Sequence, residues 1–140
     1  MGIVSSASRI PVRDRSADAV LNIFSPLIPN EFSRVLKENG VLLRVVPQEK
    51  HLIELKQAVY DKAYVNPYDS GEIPGFRIRE RKEVEYRVLI QSNEDIISLF
   101  QMTPYYYKTS RKDQEKLSEV TDLSVTFSFA VFLYSKEQEV

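Results

Sequence analysis

One stretch constrains this chain more than any other: Asp18–Pro47, reading DAVLNIFSPLIPNEFSRVLKENGVLLRVVP. It runs from an apolar segment through a Ser-Pro break, an amphipathic segment and an Asn-Gly pair into a second apolar segment. The pattern predicts a strand at Ala19–Phe24, a helix starting near Pro29, a left-handed stop at Asn39-Gly40 and a central strand at Val41–Val46. Continuous apolar runs joined through a helix predict parallel strands buried on both faces. Phe24–Gly40 is long enough for the crossover that a parallel pair requires. A right-handed crossover places ligands beyond the carboxyl ends of its strands, where Phe24-Ser25-Pro26 and Pro47-Gln48 lie. That gives a location for a site and no chemistry.

The remaining segments fall in around this unit. Ile3–Ser6 reads as the tail of a strand and Ser8–Ser16 as a basic loop. A second helix follows Pro47, with Leu52, Leu55, Val59 and Ala63 on its apolar face and Glu49, Lys50, Glu54 and Lys56 outside. Asp61 belongs with that solvent face, and His51 reads as a capping or packing histidine. Asn66–Gly75 holds Pro67, Gly71, Pro74 and Gly75, so it is a long loop or lid. In Glu83–Ile90 the residues Val84, Tyr86, Val88 and Ile90 face one way and Glu85, Arg87 and Leu89 the other, predicting an antiparallel or edge strand with one wetter face. Ser92 or Asn93 caps a helix through Phe100, broken at Met102-Thr103-Pro104. Ser110 caps another to about Val120, and Leu123–Tyr134 is a long closing strand.

Composition removes several classes of chemistry. There are no cysteines and one histidine, which excludes thiolate catalysis, cysteine-ligated zinc and a His-rich metal site, so no metal is expected. A net charge of −1 exerts no overall pull on nucleic acid or an anionic membrane. No apolar run reaches the length of a membrane span, Met1-Gly2 opens no signal peptide, and the predicted location is the cytoplasm. Met1–Ser6 nominally fits a myristoylation pattern, against which the Ile3-Val4 strand reading stands.

Several stretches resemble a known family. Ser6-Ala7-Ser8-Arg9-Ile10-Pro11-Val12, followed by Ser16-Ala17-Asp18-Ala19-Val20, resembles the D-A-x-x-L-P-F … S-F-D-x-V stretch of class I S-adenosylmethionine-dependent methyltransferases. Asn22-Ile23-Phe24-Ser25-Pro26 is similar to the motif after their fourth strand. Pro47-x-x-x-His51-Leu52-x-Glu54-Leu55-Lys56 and Gln101-Met102-Thr103-Pro104-Tyr105-Tyr106 resemble, more narrowly, the guanine-N1 methyltransferases of large-subunit ribosomal RNA. The resemblance covers nearly the whole chain as the C-terminal half of such an enzyme. It implies one α/β domain over residues 1–140: a partial Rossmann-like sheet, strands four to seven, with the last strand antiparallel between its neighbours and helices flanking. It implies S-adenosylmethionine as cofactor and a guanine base of ribosomal RNA as substrate. Ser6 and Ala7 would lie by the adenine, with Ser6 in place of the usual Asp, and Asn22, Ile23 and Phe24 beneath the methionine moiety. Phe24, Ser25, Pro26, Thr103, Pro104, Tyr105 and Tyr106 would wall the base pocket.

The chain departs from the family in three places. The glycine-rich first loop, the ribose-binding acid after strand two and the N-terminal cysteine-rich zinc module have no counterpart in it. The chain alone is therefore expected to be inactive and to bind cofactor poorly, with its first strand exposed as an open edge that pairs with a missing N-terminal half or a second copy. Arg77, Arg79, Arg81 and Lys82, with Lys108, Arg111 and Lys112, form basic runs suited to RNA phosphates, diluted by Glu80, Glu83 and Asp113. The main alternative is a non-catalytic α/β module that dimerises through its open edge. A nicotinamide-dependent Rossmann enzyme is weaker, since its glycine loop is also missing.

Overall fold

The computed structural model describes residues 2–137. Met1 of the myristoylation pattern lies outside the described residues. Strand β1 is Ala17–Ile23, helix α1 Pro29–Val35, strand β2 Leu36–Pro47, helix α2 Ile53–Val59 and strand β3 Phe76–Ile90. Helix α3 is Asn93–Gln101, α4 is Arg111–Glu115 and strand β4 is Leu123–Lys136. One sheet has the order β1-β2-β4-β3. β1 runs parallel to β2, with Ala19 opposite Val41 and Ile23 opposite Val45. β4 runs antiparallel to β2, from Pro47 opposite Phe129 to Val41 opposite Ser135. The parallel crossover is the one read from the residues, and the inserted last strand is the one the family resemblance implies. The antiparallel or edge strand expected at Glu83–Ile90 is an edge strand that begins earlier, at Phe76.

The chain forms two compact units, residues 1–47, 68–83 and 129–140 in the first, and 48–67 and 84–128 in the second. The first has a core of Phe32, Leu36, Leu42, Val46, Ile73, Phe76, Ala130, Phe132 and Tyr134. The second packs Leu52, Leu55, Val59, Ile96, Phe100, Leu117 and Val125. The first core comes mainly from β2 and β4, with Phe32 of α1 added, while helical spacing in α2 and α3 supplies much of the second.

Several expectations are corrected. Ile3–Ser6 is exposed and not in a strand. The helix ends at Val35, and Asn39-Gly40 is no left-handed stop but part of β2. Ala17 faces Leu36 while Ala19 faces Val41, so Lys37–Gly40 bulge from the ladder. Gly40 is needed for space, since a Cβ there would stand 2.9 Å from Leu36 Cδ2 and 3.0 Å from the Lys37 carbonyl oxygen. β1 is not buried on both faces: Leu21 is 68% exposed and Ile23 51%. The Arg77–Lys82 run lies within β3, which starts at Phe76. Lys56, read as solvent-facing, is 5% exposed. Its ammonium donates to Asn66 Oδ1 at 2.6 Å and lies 5.3 Å from the Tyr64 ring centre.

The Asn66–Gly75 loop is pinned. Asp69 takes a two-pronged bond from the Arg44 guanidinium at 2.8 and 3.1 Å and accepts from the Gly71 N–H at 2.8 Å. The Tyr134 hydroxyl donates to the Gly71 carbonyl at 2.8 Å. Gly71 has φ +81°, and a Cβ would fall 2.2 Å from the Phe132 ring, so only glycine fits.

Candidate active site

In the first unit the site is built at the carboxyl end of β1. Burial there is inverted: Leu21 and Ile23 face solvent, and the polar Asn22 between them is 3% exposed. The Asn22 carboxamide nitrogen donates to Ser25 Oγ at 2.7 Å and to the Pro26 carbonyl at 3.0 Å, closing the turn back on the strand. Its carbonyl oxygen has no hydrogen-bond partner among the described residues. A buried acceptor left unmatched costs free energy, so such an atom marks a place for a donor. Phe24 takes φ +46°, a conformation costly for a residue with a Cβ. Its N–H still reaches the Val45 carbonyl at 3.1 Å, so the strand pairs to its end and then turns sharply. The ring is 54% exposed and meets Phe129 edge-on at 6.2 Å.

Ser6 and Ala7 lie in an exposed turn, where Ser6 Oγ and Ser8 Oγ are 2.8 Å apart and the Arg9 N–H reaches the Ser6 carbonyl at 3.1 Å. The segment that follows is fastened by Arg34, an anchor that sequence reasoning missed. Its guanidinium donates to the Ile10 and Val12 carbonyls, each at 2.9 Å, to Glu31 and to Asp14. The Arg34 bonds and the Ile10 N–H hold the Glu31 carboxyl down at about 2. The signal in sequence was the Glu31/Arg34 spacing on one helical face.

In the second unit Thr103 caps the end of α3, its hydroxyl donating to the Phe100 carbonyl at 2.6 Å. Tyr105 and Tyr106 are half-buried, with ring centres 5.8 and 5.6 Å from that of Phe100. Burial pushes the Tyr105 hydroxyl up to about 12, so it stays protonated. Lys56 lies 5.7 Å from the Tyr105 ring centre. Pro104, Met102 and Tyr107 are exposed, the last 86%. The His-Leu-x-Glu-Leu-Lys motif is structural within this unit. His51 Nδ1 accepts from the Ser128 N–H at 3.2 Å, and Glu54 accepts from the Thr126 N–H at 2.9 Å and its hydroxyl at 2.6 Å. Arg87 joins Glu54 at 3.0 Å, so Glu54 is not on a solvent face. Phe24, Ser25 and Pro26 thus sit in one unit and Thr103–Tyr106 in the other.

Of the basic residues, Arg79 donates to Ser135 Oγ at 2.7 Å. Arg81 donates to the Tyr68 hydroxyl at 2.7 Å and pairs with Glu83 at 2.6 Å. Arg77, Lys82, Lys108 and Arg111 are exposed. Among the described residues no acidic, histidine or cysteine cluster suits a metal ion, and no helix is long and apolar enough to cross a membrane.

No protein-family model matches the chain. YxjB of Bacillus subtilis (strain 168), which carries the provisional name 23S rRNA (guanine-N(1)-)-methyltransferase, is 30% identical over 140 residues, 97% of this chain and 50% of YxjB. The 23S rRNA (guanine(748)-N(1))-methyltransferase of Streptomyces fradiae is 46% identical over 50 residues, 36% of this chain and 18% of that protein. Among solved structures, a provisionally named methyltransferase of Bacillus halodurans C-125 superposes with a TM-score of 0.57 at 16% identity, covering 96% of this chain and 70% of that one. The chain spans about half the length of YxjB, and less of the Streptomyces protein. Its fold is that of a methyltransferase sheet, and in sequence it is a relative of the 23S rRNA guanine-N1 methyltransferases, matching about half of YxjB.

Proposed function

We propose that the chain is the C-terminal part of an S-adenosylmethionine-dependent methyltransferase acting on a guanine base of ribosomal RNA. The observation that carries this is the end of β1. A left-handed, exposed Phe24 follows a buried Asn22 with an unmatched carbonyl oxygen, in a chain whose sequence relatives are named for that reaction. The residues present fit part of the cofactor. Asn22 Oδ1 offers an acceptor, and Ile23 and Phe24 an exposed apolar bed; Ser6 and Ala7 offer accessible backbone. When bound, the cofactor would supply a sulfonium methyl group; as its S–CH3 bond breaks and the N1–CH3 bond forms, guanine N1 also gives up its proton, to solvent or to a base outside the Asn22–Pro26 turn. Residues Asn22–Pro26 carry no acid or base, so what they contribute to that displacement is alignment.

Phe24 stacks on an unstacked base, and the Asn22–Ser25–Pro26 turn fixes where that ring stands. The Thr103–Tyr106 turn offers a second aromatic surface, and Lys108 and Arg111 contact phosphates in a salt-dependent way. The open edge of β1 pairs with the part of the enzyme that this chain does not include. Alone, the chain binds S-adenosylhomocysteine with a Kd no tighter than about 1 mM.

The test joins the chain to the half of YxjB that it does not match and follows methyl transfer from labelled S-adenosylmethionine to 23S ribosomal RNA. Label at guanine N1, lost in the Asn22→Ala and Phe24→Ala variants, is the expected result. A folded chimera that binds S-adenosylmethionine and transfers no methyl group to that RNA overturns the reading.

A further inference from the structure

Strand β3 closes the sheet at the edge opposite β1, and nearly all its residues are exposed. Charge on an edge strand usually guards against pairing, and charge of one sign does so by repelling a second copy. β3 carries both signs in a particular order, FRIRERKEVEYRVLI. When two identical strands pair antiparallel about a twofold axis, opposite residues lie on the same face of the sheet, and every contact occurs twice. An axis through Arg81 sets Arg77 against Glu85 and Arg79 against Glu83 on one face. On the other face it sets Glu80 against Lys82 and the exposed Ile78 against Val84.

Only Arg81 meets its own copy, and each Arg81 is already held by Tyr68 and Glu83 of its own chain. The neighbouring registers are less well matched. An axis through Lys82 keeps Arg79 against Glu85 and Arg81 against Glu83 but sets Arg77 against Arg87 and Lys82 against itself, while one through Glu80 keeps Arg77 against Glu83 but sets Arg79 against Arg81 and Glu80 against itself. Opposite charges directly across a strand pair stabilise it and like charges do the reverse, so the order of charges selects one register.

We infer that β3 is a self-association edge: a second copy of this chain adds its own β3 antiparallel, centred on Arg81, and extends the sheet. Paired outer N–H and C=O groups supply the affinity, and the Arg–Glu ladder supplies the register. The surface owes nothing to β1, so the edge of β1 stays open for a different strand.

Charge reversal tests this in the full chain by sedimentation at about 50 μM. The wild type is a dimer that weakens with salt. Arg77→Glu sets its new carboxylate against Glu85 twice, and Glu85→Arg sets its new guanidinium against Arg77 twice. Each variant alone weakens the dimer about tenfold or more. Mixed together, the two variants regain it. The introduced carboxylate of one then meets the introduced guanidinium of the other, and the remaining Glu85 meets the remaining Arg77. Recovery also shows that both variants are folded. The proposal is overturned by a monomeric wild type, by single variants that dimerise as the wild type does, or by a mixture that stays monomeric.

Discussion

A phenylalanine held at φ +46° is a costly way to end a strand. Left-handed backbone costs a residue with a Cβ about 1–2 kcal/mol, and glycine almost nothing. If Phe24 is retained for its exposed ring, removing the side chain relieves strain and abolishes binding together. Phe24→Gly is therefore expected to be more stable than Phe24→Ala by about 1 kcal/mol in urea unfolding, and both to lose base stacking. Equal stability of the two variants would mean that the turn relaxes and stores no strain. His51 illustrates the opposite case, a titratable group kept uncharged. Burial, helped by Lys56, lowers its pKa below the ordinary value, and Nδ1, accepting from the Ser128 N–H, holds the ring in its neutral form. The unfolded chain then binds the proton more readily, so the contribution is complete above about pH 6.5 and is lost as pH falls through the lower folded value. His51→Gln should flatten that part of the stability–pH curve, measured as urea midpoints between about pH 5 and 7; an unchanged slope would assign it to other groups.

At the scale of elements, legibility followed how far a segment's environment is set by its own residues. The βαβ crossover was readable because Val41–Val46 is apolar but for Arg44 and Pro29 marks a helix start, and the sheet order agrees. Ser92 and Ser110 were readable as caps because their hydroxyls bond N–H groups three residues on, at 3.3 and 3.2 Å. The Asn39-Gly40 pair misled because glycine serves both left-handed turns and close contacts, and only the Leu36 side chain and Lys37 carbonyl beside it tell which. Lys56 misled for a related reason. Its position in α2 looked polar, yet Asn66, Tyr64 and Tyr105, none of them in that helix, surround it. Arg44 gave the same warning in a central strand, where a single charge among apolar residues anticipates a partner that local pattern cannot name, here Asp69. The candidate site was readable as a location at the end of β1, but its strain and its inverted burial were not, since both depend on tertiary surroundings.

For the molecule as a whole, the two edges of the sheet carry different instructions. β3 is charged in a self-complementary order, whereas β1 ends in exposed apolar residues, Leu21 at 68% and Ile23 at 51%. Apolar exposure of this kind at a sheet edge invites a covering segment, and YxjB is twice as long as the part matched here. The two situations are separable by one substitution. In the chain alone Leu21 contributes little, so Leu21→Lys should change stability by no more than about 0.5 kcal/mol. In the chimera with the unmatched half of YxjB, a covered Leu21 would lose its burial and leave a lysine in apolar surroundings, costing at least about 2 kcal/mol. Urea unfolding of the four proteins gives the difference directly. A large cost in the chain alone would mean that Leu21 is already covered, by a second copy on β1, and would reassign that edge from the missing half to self-association. A small cost in both would leave β1 without a covering strand and remove the structural reason for reading this chain as part of a larger sheet.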